Sequence, residues 1–420
     1  MPWENSSDLT PMASIQDSDT SVVTIRRTLD DLLATITRGQ RVLLRADLNV
    51  PMAGNSVRDA TRLEQLRPTL HDLTNAGGRV IILSHFGRPG GTPDATLSLA
   101  PIARALEGYI GIPVAFAPDC LGETAQKAIE ALSVGGILVL ENTRFYPEEE
   151  ANDPAMAQAL ARYADFFVND AFSTSHRAHV STHGLGALLP TYGGRAMEAE
   201  LQALERILKN PARPVMAIVG GAKISTKLDL LNHLTEKADC IAIGGAMVNS
   251  FLAAMGHEIG QSLYESNQVK TVQDILSRIG SSLVLPHDVA VACTDAPRTL
   301  HRIASVTDVA QDEIILDLGP VSIEELGTRI RASRTVLWNG PLGAFEISPF
   351  DEGTISLARH IALATREGEL ISIAGGGETV AALKAADVTA DLTHVSTAGG
   401  AFLEWLEGRT LPGVTTLNRT

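Results

Sequence analysis

Short apolar runs recur along most of this chain, and each is separated from the next by a longer segment with a helical pattern. Most of the runs are apolar without alternation, as expected for parallel strands that are covered on both faces. This alternation of strands and helices predicts an α/β fold with mainly parallel sheets. The runs predicted as strands are RVLLRADL (41–48), RVIILSH (79–85), GILVLEN (136–142), DFFVNDAF (165–172), VMAIVGG (215–221), CIAIGGA (240–246), TVLWNG (335–340) and LISIAGGG (370–377).

The length of 420 residues predicts about two domains, because one ordinary hydrophobic core would be too small for it. Apolar residues between positions 197 and 208 follow a helical period that Pro211 would end. We therefore expect two Rossmann-like three-layer domains joined by a linker helix and a hinge. The predicted divisions are a disordered extension at 1–23, an N-terminal domain at 24–194, the linker helix at 195–209, a C-terminal domain at 210–400, and a C-terminal helix and tail at 401–420 that packs back toward the N-terminal domain. The final helix is predicted to end at Gly408.

Composition and charge exclude several classes of protein. The net charge of −15 argues against a general nucleic-acid binder, so an anionic substrate would need a local basic cleft. No apolar run approaches the roughly 18 residues that a membrane span requires. Three widely spaced cysteines without a CxxC pair favour a reducing cytoplasm over a disulfide framework or a zinc site. The first 23 residues contain no Lys or Arg, so no secretory or mitochondrial leader is predicted.

Arginine and histidine collect at the predicted strand ends of the first half. In LLRADLNVP, Asp47 shares a strand face with Arg45, and it either braces the sheet edge or orients that arginine toward an anionic ligand. Such a set of cations suits a small polyanion held by bidentate contacts. The other members are Asn49, Arg62, His85, Arg88, Arg144, His176, Arg177 and His179. Arg62 could instead be a solvated helix position, and either His176 or His179 could be packed or bind a metal.

Glycine-rich turns follow the predicted strands of the second half, namely GGAK (220–223), IGGA (243–246), WNGPLGAFE (338–346), AGGGET (374–379) and STAGG (396–400). Glycine lets the backbone approach a ligand closely, and helix N-termini after such turns attract phosphates, so the turns together indicate a nucleotide site. Any one turn alone is better explained as structural. The patterns GxxxxGK[ST] and GxGxxG with a strand-end acid are absent, which weakens a dinucleotide interpretation. Glu378 is either a favourable charge in a first helical turn or a magnesium contact.

Lysine is scarce in this chain, and two lysines stand close together at the start of a predicted helix. Lys223 and Lys227 occur in IVGGAKISTKLDLL (218–231), and they lie on one side of the helix if it begins near Ser225. Lysine supplies a mobile point charge that can follow a moving phosphoryl group. An anion-binding half and a nucleotide-binding half together predict a two-lobed transferase that closes over its substrates.

Eight motifs, in order, resemble those of the phosphoglycerate kinase family. They are LLRADLNVP, SHFGRP, VLENTRFYPEEE, VNDAFSTSHRAHVST, IVGGAKISTK, TVLWNGPLGAFE, IAGGGETVAAL and VSTAGGAFLEWLEG, and the resemblance spans about residues 24–415. It implies reversible in-line transfer of a phosphoryl group between 1,3-bisphosphoglycerate with MgADP and 3-phosphoglycerate with MgATP, stabilised by Lys, Arg and helix N-termini on domain closure. It also implies Mg²⁺ with ATP or ADP, small-molecule substrates, a cytoplasmic monomer, and neither nucleic-acid nor membrane partners.

The resemblance implies a role for each matching residue. The phosphoglycerate would be bound by Arg45, Asp47, Asn49, Arg62, His85, Arg88, Arg144 and Arg177. The nucleotide would be bound by Gly220, Gly221, Lys223, Lys227, Gly245, Asn339, Glu346, Gly375, Gly376, Gly377, Glu378 and Thr379, with Glu346 at the ribose. The catalytic group would be Arg62, Lys223, Gly376 and Gly399, and Glu378 would hold the metal. Gly399 and Gly400 would offer backbone N–H groups to phosphate.

Three positions depart from the family pattern. Glu378 stands where the family usually has Asp, so we expect an active enzyme with altered metal affinity and a shifted magnesium dependence in Glu378→Asp. Ala398 and Ser173 replace usual glycines, and either would be strained if its position required positive φ. These departures leave open a binding or regulatory protein without turnover. A dehydrogenase-like dinucleotide binder is a third hypothesis, which depends on the glycine turns alone.

Overall fold

A computed structural model describes residues 27–209, 211–293 and 300–418, so the extension predicted at 1–23 lies outside the described residues. The strands are β1 Arg41–Arg45, β2 Met52–Ala53, β3 Ser56–Val57, β4 Arg79–Leu83, β5 Val114–Ala117, β6 Ile137–Leu140, β7 Phe166–Asn169, β8 Thr191–Gly193, β9 Val215–Val219, β10 Cys240–Ile243, β11 Leu283–Val284, β12 Asp288–Cys293, β13 His301–Ser305, β14 Glu313–Leu318, β15 Thr335–Asn339, β16 Ile371–Gly375 and β17 His394–Ser396.

Helices separate most of these strands. They are α1 Leu29–Leu33, α2 Thr61–Asn75, α3 Ala100–Ile110, α4 Gly122–Glu130, α5 Pro147–Glu150, α6 Pro154–Ala161, α7 Arg195–Leu208, α8 Leu228–Lys237, α9 Met247–Ala254, α10 Val269–Ile279, α11 Pro320–Ala332, α12 Glu352–Arg366, α13 Gly377–Ala385, α14 Gly400–Leu406 and α15 Pro412–Thr415. In the part of the chain that the structure describes, no helix has the length and apolar character to cross a membrane.

Two six-stranded parallel sheets form the centres of the molecule. The first has the order β5-β6-β4-β1-β7-β8, and the second has the order β11-β10-β9-β15-β16-β17. Every pair of neighbouring strands in both sheets is parallel. The prediction of an α/β fold with parallel sheets is therefore confirmed.

Burial on both faces of each sheet explains why the predicted strands lack alternation. In β1, Leu44 joins a core cluster on one face of the sheet and Leu43 joins a separate cluster on the other. In β9, Ile218 and Ala217 likewise belong to different clusters. Because the residues that face either side of each sheet are apolar, polar residues begin only at the carboxyl ends of these strands. Those ends position the site.

The sequence did not predict the smaller sheets, nor the strands β5, β8, β11 and β17 of the parallel sheets. An antiparallel sheet has the order β13-β12-β14, and β2 pairs with β3 in a short hairpin. In β13 four of five residues are exposed, so it has no buried apolar run to mark it.

Helix α7 leads from the first sheet to the second. Its buried residues Met197, Leu201 and Leu204 pack in one cluster with residues of the second sheet and of α14. The final helix was predicted to reach Gly408, but α14 ends at Leu406 and the short α15 follows it. The predicted domain divisions remain predictions.

Candidate active site

Arg45 ends β1 and is fully buried at the carboxyl edge of the first sheet, with 2% of its surface exposed. Its Nε donates to the hydroxyl of Ser181 at 2.9 Å, and its Nη2 lies 2.9 Å from Nδ1 of His85. The guanidinium is thus fixed from two sides and forms part of the wall of the site.

Both interpretations of LLRADLNVP required Asp47 to pair with Arg45. In the structure Asp47 pairs with Arg62 instead. Strand β1 ends at Arg45, so Asp47 and Asn49 lie beyond the strand and the predicted shared face does not exist. The Oδ2 atom of Asp47 lies 3.0 Å from Nη1 of Arg62 and also accepts the hydroxyl hydrogen of Ser173. The irregular backbone after β1 turns the side chain of Asp47 toward the start of α2, whereas the side-chain oxygen of Asn49 accepts from the N–H of Gly87 at 3.0 Å.

Arg62 lies in the first turn of α2 and is half-buried between the two halves of the molecule. Its Nη1 donates to the carbonyl of Asn49 at 2.7 Å, and its Nη2 donates to the carbonyl of Thr397 at 3.1 Å. The alternative interpretation of Arg62 as a solvated helix position is therefore wrong.

The remaining cations lie along the same edge with different exposure. Arg144 is buried, where Nη1 donates to the carbonyl of Gly87 at 2.9 Å and Nε lies 3.0 Å from a carboxylate oxygen of Glu150. Arg177 is half-buried and donates from Nε to Nε2 of His176 at 3.1 Å, whereas Arg88 is exposed. A buried arginine and two accessible ones can contact one anion from several directions.

Two imidazoles among these arginines are held neutral. Burial, together with Arg45, Arg144 and other guanidinium groups, lowers the pKa of His85 well below its ordinary value. Burial, Arg144, Arg177 and Arg45 lower the pKa of His179 to about 4. Both rings can therefore donate or accept a hydrogen bond at neutral pH without adding to the positive charge.

Asn339 ends β15 and organises the facing wall at the carboxyl edge of the second sheet. It is buried, its Nδ2 donates to the carbonyl of Gly375 at 2.7 Å, and its Oδ1 contacts Nζ of Lys227. The N–H of Gly340 donates to the hydroxyl of Thr379 at 2.7 Å. Burial lowers the pKa of Lys227, although the charges of nearby carboxylates oppose that shift.

Lys223 and Lys227 do not stand on one helix, so the prediction of a helix beginning near Ser225 is wrong. Residues Ile224–Thr226 form a 3₁₀ turn, and α8 begins at Leu228. Lys223 is exposed ahead of the turn, while Lys227 is half-buried against Asn339. The carboxylate of Glu265 accepts from both the N–H and the hydroxyl of Ser225 at 2.9 and 2.6 Å, which anchors the turn between the two lysines.

Two of the predicted glycines occupy places where a side chain has no room. A Cβ on Gly220 would lie 2.0 Å from the carbonyl oxygen of Pro341, and a Cβ on Gly376, at φ 101°, would lie 2.8 Å from Nδ2 of Asn339. Both glycines therefore pack directly against the turn at 339–341. The cavity beside them has a volume of about 260 Å³, and its lining includes Gly221, Gly245, Leu342, Glu346 and Glu378.

A second cavity, of about 610 Å³, brings the two sets of predicted residues together. Its lining includes Asn49 and Arg62 from the first half and Gly376 and Gly377 from the second. The arginines and histidines at the edge of the first sheet form a basic wall. A Cβ on Gly400 would lie 3.2 Å from Nε2 of His176, so the glycine turn at 396–400 also approaches this wall. The geometry can hold a doubly charged anion on one side and a phosphorylated ligand on the other.

The two replaced glycines introduce no backbone strain. In the ranges that the structure describes, the non-glycine residues with positive φ are Asn152 and Asp387, so neither Ser173 nor Ala398 is among them. Ala398 is buried in the core, and the hydroxyl of Ser173 donates to Asp47. The departure at position 173 was visible in the sequence, but its partner was not.

Glu378 is the predicted metal ligand, and it lies exposed in the first turn of α13. Within the described ranges, no group of three His, Cys, Asp or Glu side chains is arranged to hold a metal, so neither His176 nor His179 has a ligand set around it. Magnesium is commonly bound by one or two carboxylates together with substrate phosphates. One accessible carboxylate beside a glycine-rich turn fits a metal that arrives with a nucleotide.

Comparisons with known proteins agree on one family. A model of the phosphoglycerate kinase family matches residues 30–409. The chain is 54% identical over 394 residues to a phosphoglycerate kinase of Methylorubrum populi, covering 93% of this chain and 98% of that one. It is 53% identical to the corresponding protein of Zymomonas mobilis, covering 93% and 99% of the two chains.

Solved structures give the same result. The structure of phosphoglycerate kinase from Coxiella burnetii has a TM-score of 0.83 at 37% identity, covering 92% of this chain and 98% of that chain. The phosphoglycerate kinase from Pyrococcus horikoshii has a TM-score of 0.80 at 28% identity, covering 93% and 98%.

Proposed function

The chain belongs to the phosphoglycerate kinase family, and from this premise we propose how its own residues carry out the family's reaction. The reaction is the reversible transfer of a phosphoryl group between 1,3-bisphosphoglycerate with ADP and 3-phosphoglycerate with ATP. The chain is thus a phosphotransferase that uses a carboxyl group as acceptor. A regulatory homologue without turnover and a dinucleotide-binding protein are not favoured by the comparisons.

The basic wall of the first half binds the phosphoglycerate. Its buried arginines, Arg45 and Arg144, are already held by hydrogen bonds, so little side-chain entropy is lost when the substrate binds. Arg88 and Arg177 are accessible enough to close on the phosphate. The neutral ring of His85 and the side chains at positions 47 and 49 complete the proposed set.

Phosphoryl transfer takes place in the cavity that Arg62 and Gly376 share. The transferred group passes through a loose transition state with charge on its equatorial oxygens, so positioning and electrostatic stabilisation supply most of the catalysis. Arg62, Lys223 and the N–H groups at Gly376 and Gly399 are the proposed donors to that charge. No general base is needed, because the attacking carboxylate or phosphate oxygen is already ionised.

The glycine turns of the second half bind the nucleotide. Lys227 contacts its phosphates from its place beside Asn339, and Glu346 contacts the ribose. The backbone at positions 220, 221, 245, 375 and 377 and the hydroxyl of Thr379 form the rest of the proposed site. Glu378 would hold a magnesium ion, which when bound would neutralise part of the charge on the phosphates.

The finer features of the enzyme are also proposals. We place the N-terminal domain at 24–194, the linker helix at 195–209 and the C-terminal domain at 210–400, with the tail at 401–420. The parallel sheets on either side of α7 support this division. Closure of the two domains on their substrates, a monomeric state and a cytoplasmic location complete the proposal.

The observation that supports the proposal most is that Arg62 and Gly376 line one cavity between a basic wall and a glycine-rich wall. The test is magnesium-dependent turnover of ATP and 3-phosphoglycerate, coupled to reduction of the acyl phosphate, for wild type, Lys223→Ala and Lys270→Ala. Lys270 is an exposed lysine on α10 and serves as the matched control. We expect Lys223→Ala to lower kcat about a hundredfold, since one such donor contributes about 3 kcal/mol.

Wild-type activity with equal, near-normal rates in both variants would remove Lys223 from the catalytic group. Wild type without turnover would contradict the assignment of the activity itself.

A further inference from the structure

An ion pair crosses the cleft outside the predicted set of site residues. Lys384, on α13 in the second half, contacts through Nζ the Oδ2 atom of Asp59, which lies just ahead of α2 in the first half. The two residues are 325 positions apart in the chain. Both side chains are partly exposed, at 45% for Lys384 and 35% for Asp59.

Asp59 is also tied to the first turn of α2. Its Oδ1 accepts from the N–H of Thr61 at 3.0 Å and from the Thr61 hydroxyl at 2.6 Å, and no side chain of Ala60 caps the helix. Burial alone would raise the pKa of Asp59, but Lys384 and Thr61 lower it to about 2. The carboxylate is therefore ionised across the physiological range and holds both partners at once.

The next residue after Thr61 is Arg62. Its guanidinium donates to Asn49 in the first half and to Thr397 in the second, so its direction depends on how the two halves are placed. Asp59, Arg62 and Lys384 line the same 610 Å³ cavity. The ion pair thus links the helix start that carries Arg62 to the helix that begins at the phosphate-binding glycines.

We propose that Lys384 and Asp59 are positioning residues, which hold the two sides of the cleft in register and aim Arg62 at the transferring phosphoryl group. The proposal depends on the proposed function of Arg62. An exposed ion pair contributes little to overall stability. A small misplacement of a group that acts on the transition state nevertheless lowers the rate, so the effect belongs in kcat and not in ground-state binding.

The experiment is a double-mutant cycle on the full-length enzyme. Lys384→Met removes the charge and keeps most of the length of the side chain, and Asp59→Asn keeps an oxygen for Thr61. We expect each single variant to lower kcat about two- to fivefold, as one exposed ion pair allows, with both KM values changed less than about twofold. The double variant should be no worse than either single one, because the lost interaction is shared. Lys384→Arg should restore most of kcat.

Ionic strength supplies a second measurement, since salt screens an exposed pair. The wild-type kcat should fall more steeply with added KCl than that of Lys384→Met, with Lys270→Met as the control. Additive losses in the cycle would overturn the proposal, as would a Lys384→Met variant with wild-type kcat. A loss confined to the KM for ATP would also overturn it, by making Lys384 a nucleotide ligand. In each of these cases wild-type turnover is intact, whereas absence of wild-type turnover would overturn the proposed function itself.

Discussion

At the scale of single residues, Asp47 determines how Arg62 is presented. One oxygen of its carboxylate is shared between the guanidinium of Arg62 and the hydroxyl of Ser173. The family usually has glycine at position 173, and glycine offers no hydroxyl. Ser173 therefore gives this chain an additional donor that fixes the carboxylate against rotation.

Ser173→Ala tests that contact. Loss of a hydrogen bond to a charged acceptor frees the carboxylate of Asp47, and we expect the KM for 3-phosphoglycerate to rise about three- to tenfold. Steady-state kinetics with 3-phosphoglycerate as the varied substrate would measure the change. Ser277→Ala is the control, because Ser277 is exposed and its hydroxyl donates only to the carbonyl of Asp274 within α10. Equal KM values in the two variants would show that Ser173 merely fills space.

At the scale of elements, the strands that sequence reasoning found are those buried on both faces. Strands β1, β4, β6, β7, β9, β10, β15 and β16 all lie within predicted runs. The exposed edge strand β13 was missed, because an edge strand without a buried run leaves no comparable pattern, but its neighbour β12 was missed although five of its six residues are buried. The short turn at Ile224–Thr226 was missed for a different reason: its anchor, Glu265, is 40 positions away.

The site follows the same division. Residues at the carboxyl ends of central strands, such as Arg45 and Asn339, could be placed at the sheet edges from the order of strands and helices alone. Contacts between elements could not be predicted in this way. The local pattern paired Asp47 with Arg45 whereas the structure pairs it with Arg62, and nothing in the sequence brings Lys384 to Asp59. Side-chain partners across a cleft depend on how whole elements pack, which no local pattern encodes.

The junction between β7 and α7 contains a buried acid. Asp170 is 5% exposed, and its Oδ1 accepts the N–H of Met197 at 3.0 Å, but its Oδ2 has no partner. Burial raises its pKa from 3.8 to about 6, although the nearby hydroxyl of Thr69 and backbone N–H groups oppose the shift. A Cβ on Gly194 would lie 2.3 Å from the carboxyl carbon, so the group is enclosed.

This acid should make stability depend on pH. The pKa of Asp170 is higher in the folded state than in the unfolded state. Its contribution to the free energy of unfolding is therefore complete below about pH 3.8 and is lost as the pH rises through about 6. Asp170→Asn removes that loss, which is on the order of 2–3 kcal/mol for a shift of this size. In urea unfolding between about pH 4.5 and 7.5, the free energy of unfolding of the variant should increase relative to that of wild type as the pH rises.

Asp274→Asn, on the exposed face of α10, is the control for this comparison. Parallel stability curves for Asp170→Asn and wild type would contradict the prediction.

At the scale of the whole molecule, the chain returns to its first half after completing the second. The N–H of Gly413 donates to the carbonyl of Ser175 at 2.8 Å, and a Cβ on Gly186 would lie 2.4 Å from Cβ of Thr416. The buried tail residue Leu417 shares a core cluster with Phe172 and with the apolar face of α7. The tail therefore joins the loop after β7 to α7 and the second half.

Leu417→Ala tests whether this contact holds the halves together. Leu417 is fully buried, so its truncation should lower the free energy of unfolding by about 2–5 kcal/mol. Because Phe172 precedes Ser173, the cavity should also loosen the loop that orients Asp47 and raise the KM for 3-phosphoglycerate. Urea unfolding and steady-state kinetics measure the two effects.

Leu363→Ala is the matched control, since Leu363 is 47% exposed on α12 and its truncation should change stability by less than about 0.5 kcal/mol. Similar unfolding midpoints for the two variants would show that the packing of the tail does not contribute to the stability of the core. A large loss of stability with unchanged KM would separate the two roles: the tail would then hold the halves together while the loop after β7 kept its place through its own hydrogen bonds.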